Sequence, residues 1–111
     1  MRAHKLPNYL RTYRKRLGFS QDEMAFLLRL HDGAKVCRFE RYRCPPSLET
    51  TLSYEVIFKT PVKELFRGTY RRVERNVAAR ATVLRYKLSR AKPSPAVARK
   101  LAALKTITSH S

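Results

Sequence analysis

The sequence predicts an all-α chain, and three observations carry that prediction. Apolar residues return at three- and four-residue intervals in successive segments, the spacing that lines one face of a helix. Helix-starting residues stand just ahead of several such segments, at Ser20-Gln21-Asp22-Glu23, Pro46-Ser47 and Ser94-Pro95. Residues 70–91 then carry one long apolar stripe among arginines.

At 111 residues the chain accommodates one domain with an appendage, since domains run to about 100–150 residues, and its 43% apolar content suffices for a core. Its 25 Lys and Arg against 8 Asp and Glu leave a net charge of +17, which repels itself unless a polyanion neutralises it. The excess is uneven: residues 1–66 carry +6 and residues 67–111 carry +11. No run of about 18 apolar residues could span a bilayer, and Met1 to Leu10 lacks the apolar centre of a secretion signal. A cytoplasmic chain without a membrane partner is expected. Cys37 and Cys44 make no metal-ligand spacing with His4, His31 and His110, so free thiols are expected. No catalytic constellation is present, and the chain is expected to be no enzyme and to need no metal or cofactor.

Met1 to Lys5 is a short basic arm, either a disordered terminus or a reach toward a groove or phosphates. Pro7 suits a first helical position, and Leu10, Tyr13 and Leu17 form an apolar face that ends at Gly18. Ser20 is placed to cap the amide of Glu23 while Glu23 reaches back to Ser20, with Phe19 stapled against Met24. Met24, Leu27 and Leu28 line the second helix, and the small Ala25 admits a neighbouring helix. Gln21 stands at its N-terminus, where free amides and the helix dipole favour an anion such as a phosphate. The pattern breaks at His31-Asp32-Gly33, and Asp32 caps a third helix. There Val36, Phe39 and Glu40 share one face, leaving Ala34, Lys35, Cys37, Arg38 and Arg41 on a basic outer surface.

Ser47 caps a fourth helix with Leu48, Leu52 and Phe58 as expected core residues. Thr60-Pro61 opens a fifth, with Val62, Leu65 and Phe66 inward, and Gly68 stops or bends it. Tyr70, Val73, Val77, Ala81, Leu84 and Leu88 make the stripe of the next helix. After the Lys92-Pro93-Ser94-Pro95 turn, Val97, Leu101 and Leu104 mark a last helix, so the C-terminal part reads as a basic helical hairpin. The expected division is residues 1–67 and a basic extension of residues 68–111, open to packing, dimerisation or auxiliary nucleic-acid contact. Its arginine flanks count against a symmetric coiled coil of these helices alone and are at ease beside phosphates.

Residues 6–66 resemble the helix-turn-helix domain of the phage Cro and repressor type, the XRE family. The matching residues are Leu10 and Arg14, Gly18-Phe19-Ser20-Gln21, Glu23-Met24-Ala25, Val36, Arg38-Phe39-Glu40, Pro46-Ser47-Leu48-Glu49-Thr50 and Val62 with Glu64-Leu65-Phe66. The resemblance implies a five-helix lambda-repressor-like DNA-binding domain whose third helix lies in the major groove. It also implies that Gln21 meets a phosphate and that Asp32, Gly33, Ala34 and Lys35 meet the groove floor and rim. Gly33 and Ala34 alternatively allow close approach or touch a thymine methyl. Arg38, one turn on, is the residue expected to read a base, because a guanidinium bonds guanine O6 and N7 together, worth about 1–3 kcal/mol against a wrong base. Lys35, Arg41 and Arg43 are expected to clamp phosphates, which positions without specifying. Arg14 and Glu40 match the family's internal ion pair.

Three departures accompany the match. One extra residue between Ala25 and Glu40 alters the turn there and shifts the base-contact positions if it is not absorbed. Tyr42 stands where the family has glycine, which strains it if the backbone needs positive φ. Glu55 occupies a usually small apolar position and is expected to pair with a tail arginine or a partner chain.

The expected function is sequence-specific binding of double-stranded DNA by a transcriptional regulator, a dimeric repressor occupying an operator. Phe66, Tyr70, Val73, Val77, Leu84 and Leu88 are the interface candidates for a homodimer or a protein partner. The alternatives are a DNA-binding antitoxin or adaptor with a protein partner, and a less specific nucleic-acid-binding protein driven by the basic extension.

Overall fold

The computed structural model describes residues 8–109; the basic arm, Pro7 and His110 lie outside the described residues. Seven α-helices and no strand occur among the described residues: α1 (Leu10–Leu17), α2 (Gln21–Leu27), α3 (Gly33–Glu40), α4 (Leu48–Phe58), α5 (Val62–Leu65), α6 (Arg67–Ser89) and α7 (Pro95–Thr108). None of them is long and apolar enough to cross a membrane. The chain divides into two compact units between Tyr70 and Arg71, inside α6.

The first unit is built on Leu10, Met24, Val36, Tyr54 and Leu65, one from each of α1 to α5 and all fully buried. Each such side chain contributes roughly 1.5–3 kcal/mol relative to exposure. Ala25, Leu28, Phe39, Phe58 and Phe66 complete this core. Aromatic rings bind three of the helices together: Tyr13 stacks on Phe58 at 5.7 Å, Phe39 meets Tyr54 edge-on at 6.5 Å, and Tyr54 and Phe58 lie 5.6 Å apart. Phe19 and Val62 pack around its edge.

Several faces differ from the periodic reading. α1 begins at Leu10 with Tyr9 as its N-cap residue, and its buried line is Leu10 and Arg14, leaving Leu17 exposed. Leu27 is likewise exposed, because Met24, Ala25 and Leu28 already fill the inner face of α2. On α4 the expected core residue Phe58 is buried, but Leu48 and Leu52 are exposed, and Tyr54 points inward with Phe58. This helix is apolar on both sides, so periodicity alone does not choose between them, and the larger aromatic side takes the core. Glu55 has a local role instead: its Oε1 accepts from the Val62 amide at 3.0 Å, capping the short α5, whose own N-cap Pro61 makes no side-chain cap. Phe66 belongs to the core and is withdrawn from the interface candidates.

In the second unit the small Ala78 and Ala81 of α6 are buried, as is Leu104 of α7, with Leu88, Val97 and Leu101 half-buried. Ser94 caps α7 by accepting from the Val97 amide at 3.1 Å, and Arg85 donates to the Thr108 hydroxyl at 3.3 Å. Val73, Val77, Val83, Leu84 and Tyr86 remain exposed.

The Tyr54 hydroxyl is buried with no hydrogen-bond partner among the described residues, and burial, with the Glu40 charge second, pushes its ionisation well above the usual phenol range. A buried unpaired hydroxyl costs about 1–3 kcal/mol, so Tyr54→Phe is expected to leave stability unchanged or to raise it. Denaturant unfolding reads this directly, and a clear loss of stability would mean that the hydroxyl holds a partner.

Candidate nucleic-acid interface

The region around α2 and α3 is fixed by local hydrogen bonds at each helix end. Ser20 accepts from the Glu23 amide at 3.0 Å while its own amide donates to Glu23 Oε1 at 2.8 Å, a complete capping box. α2 ends with the Leu30 amide donating to Ala25 O at 2.8 Å and the Arg29 amide to Phe26 O at 3.2 Å. That closure requires a left-handed residue, here Arg29 at φ 62°. Asp32 then caps α3 from Ala34 N at 3.0 Å. The turn between α2 and α3 thus runs from one cap to the next.

Gly33 joins the two helices. Its amide donates to Asp22 Oδ1 at 2.9 Å, and a Cβ here would come within 2.7 Å of that oxygen and 2.9 Å of Gln21 Cβ. The glycine is buried, so its part is the close approach of α3 to α2, leaving Asp32, Ala34 and Lys35 as the exposed residues at this end. Asp22, which sequence reading placed only in a first turn, is the anchor; its partner lies beyond any local motif.

Val36 and Phe39 face the core, so Ala34, Lys35 and Arg38 share the opposite, exposed face, with Arg41 beside them. α3 closes as α2 does: the Arg43 amide donates to Arg38 O at 2.8 Å and the Tyr42 amide to Phe39 O at 3.0 Å. Tyr42 sits at φ 61°, the left-handed conformation that its glycine-like position demands, and its hydroxyl lies 2.8 Å from that of Thr69. This closure also sets the exposed Arg43 just past the helix.

Arg14 and Glu40 hold the assembly from beneath. Arg14 Nε donates to Glu40 Oε2 at 2.5 Å and Nη2 to Oε1 at 3.0 Å, while Nη1 donates to Phe19 O at 2.9 Å. Only 7% of Arg14 is exposed, and its pKa is raised first by the hydrogen bond to Glu40. Gln21 Nε2 also donates to Glu40 Oε1, at 3.2 Å, so this half-buried amide is tied to the pair and keeps one N–H for another acceptor. Asn8, which sequence reading missed although asparagine just before a helix is a cap signal, accepts from Leu10 N at 3.1 Å and donates to Phe39 O at 3.0 Å.

The outcome is an exposed cationic surface with a neutralised support. Lys35, Arg38, Arg41 and Arg43 are exposed, and the one carboxylate among residues 33–43, Glu40, is spent on Arg14. Among the described residues no group of His, Cys, Asp or Glu could hold a metal ion, and Cys37 and Cys44 are free thiols. Comparison of the chain with protein-family models, curated proteins and solved structures returned no match.

Removing one member of a buried pair strands the other. Arg14→Ala is therefore expected to cost about 3–5 kcal/mol in unfolding free energy, measured by denaturant titration, and Arg14→Ala with Glu40→Ala less than the two single losses together. Gly33→Ala should cost about 1–3 kcal/mol by pressing its methyl against the Asp22 carboxylate and forcing α3 off α2.

Proposed function

We propose that the chain is a sequence-specific DNA-binding regulator of the helix-turn-helix type, its first unit a lambda-repressor-like domain and its second a basic helical hairpin. The observation that carries the reading is the outer face of α3. Ala34, Lys35 and Arg38 are exposed there, on a helix locked at its start by Asp22 and Gly33 and at its end by Arg14 and Glu40. A helix fits the major groove, and an exposed cationic face on a rigid support is what base reading requires.

In this reading Arg38 reads a guanine, Ala34 meets a thymine methyl or the floor, and Lys35, Arg41 and Arg43 hold phosphates. The free N–H of Gln21, at the start of α2, is available to a phosphate beside the groove. Asp32 is engaged in capping Ala34, and its charge discourages a phosphate at that corner. The net +11 of residues 67–111 supplies affinity without sequence preference. The mechanism is binding alone: an occupied operator blocks or recruits polymerase. A two-fold operator calls for a dimer. The exposed Val73, Val77 and Leu84 favour, as a second reading, docking of a protein partner by an antitoxin or adaptor.

Selection of bound duplexes from a random pool at fixed salt tests the reading. A defined site, preferred about 10³–10⁷-fold over random DNA, is expected. Arg38→Ala should flatten that preference by about 1–3 kcal/mol at one position per half-site, whereas Arg80→Ala should lower affinity for all sequences alike or leave it unchanged. Equal affinity of the wild-type chain for scrambled duplexes would leave only the electrostatic, less specific function.

A further inference from the structure

Helix α4 exposes a line of aliphatic side chains that no packing among the described residues covers. Leu48, Leu52 and Val56 recur every fourth residue and are 75%, 49% and 71% exposed, directly opposite the buried Tyr54 and Phe58. A helix apolar on both sides is ordinarily buried on both sides. Contiguous exposed apolar surface on a soluble chain marks a contact. In a chain of net charge +17, this helix contains no lysine or arginine, and Glu49 and Glu55 flank the aliphatic line.

We propose that this face of α4 packs against the same face of a second copy of the chain, forming an antiparallel, two-fold symmetric dimer. The inference rests on the dimeric part of the function proposed above and is independent of DNA recognition. Charge selects the occupant. Two copies of so basic a chain repel one another, and the α4 face is one where apolar contact is made without bringing cations together. The exposed stripe of α6 is less suited to self-pairing, because Arg80 and Lys87 fall in line with Val73, Val77 and Leu84 at the same three- and four-residue spacing.

The register follows from the same residues. A two-fold axis that sets Leu52 against the partner subunit's Val56 brings Lys59, exposed at the C-terminal end of α4, level with the partner subunit's Glu49 at the N-terminal end of its helix. Symmetry makes that opposite-charge contact twice, and the antiparallel helix dipoles add to it. Leu52 on each copy lies near the axis, where a substitution acts on both sides of the interface at once.

Sedimentation equilibrium of the full chain without DNA, over a wide concentration range and in salt sufficient to screen self-repulsion, tests the proposal. A monomer–dimer equilibrium is expected. Leu52→Glu should weaken it by at least about tenfold while leaving the thermal unfolding curve nearly unchanged at concentrations where the wild-type chain is monomeric, because the side chain is half exposed in the single chain. Glu49→Lys and Lys59→Glu should each weaken dimerisation, and the two together should restore it. A chain that stays monomeric throughout, a dimer indifferent to Leu52→Glu, charge swaps that fail to compensate, or a dimer lost on Val77→Glu alone would each overturn the proposal. Leu52→Glu leaves α3 untouched, so retained binding of a single half-site by this variant separates failure of the interface from failure of the DNA-binding reading.

Discussion

The bidentate pair between Arg14 and Glu40 is the interaction on which the first unit depends. It joins α1 to α3, and through the third Arg14 hydrogen bond, to Phe19 O, it also fixes the entry to α2. Gln21 attaches the first turn of α2 to the same carboxylate. Burying a guanidinium is costly, and here all three of its nitrogens donate a hydrogen bond, so the group holds three helices in one arrangement. A hydrophobic pair of equal volume could match its stability, but it would not fix the angle of α3 through directional bonds. The exposed cations of α3 are accurate in position because the residue beneath them is.

Helix ends set the remaining geometry, and several are made at some conformational cost. Left-handed residues close α2, α3 and α4 at Arg29, Tyr42 and Lys59, where glycine would be easier, each at about 1–2 kcal/mol. Tyr42 offsets part of this through its hydroxyl contact with Thr69, a bond glycine lacks. Closing α3 in this way turns the chain sharply and leaves Arg41 and Arg43 exposed beside the helix rather than buried along it. Local strain and the placement of charge are thus linked at one position.

What was legible in the sequence divides by range. The capping residues Ser20, Asp32, Ser47 and Ser94 act within three residues of themselves, and all four cap as their sequence context implies. The geometry of Arg14 with Glu40, which the family resemblance implied, is present as well. The faces of α4 were legible only at Phe58, because both sides are apolar and the choice between them lies in how Tyr54 and Phe58 meet rings from α1 and α3. Leu17 and Leu27 misled for a related reason: Arg14 and Ala25 took the inner positions, one through its ion pair and one through its small size. The Glu55 cap on Val62 and the Asp22 anchor for Gly33 join residues seven and eleven apart, beyond any local motif.

In the proposed function, the outer face of α3 reads base edges in the major groove through Arg38. Methylation of guanine N7 within a selected binding site probes that contact directly, since the modification occupies the acceptor a guanidinium would use. Wild-type binding should be blocked by methylation of one guanine in each half-site, and the Arg38→Ala chain should be indifferent to the same methylation. Wild-type binding that tolerates N7 methylation throughout the site would contradict the claim.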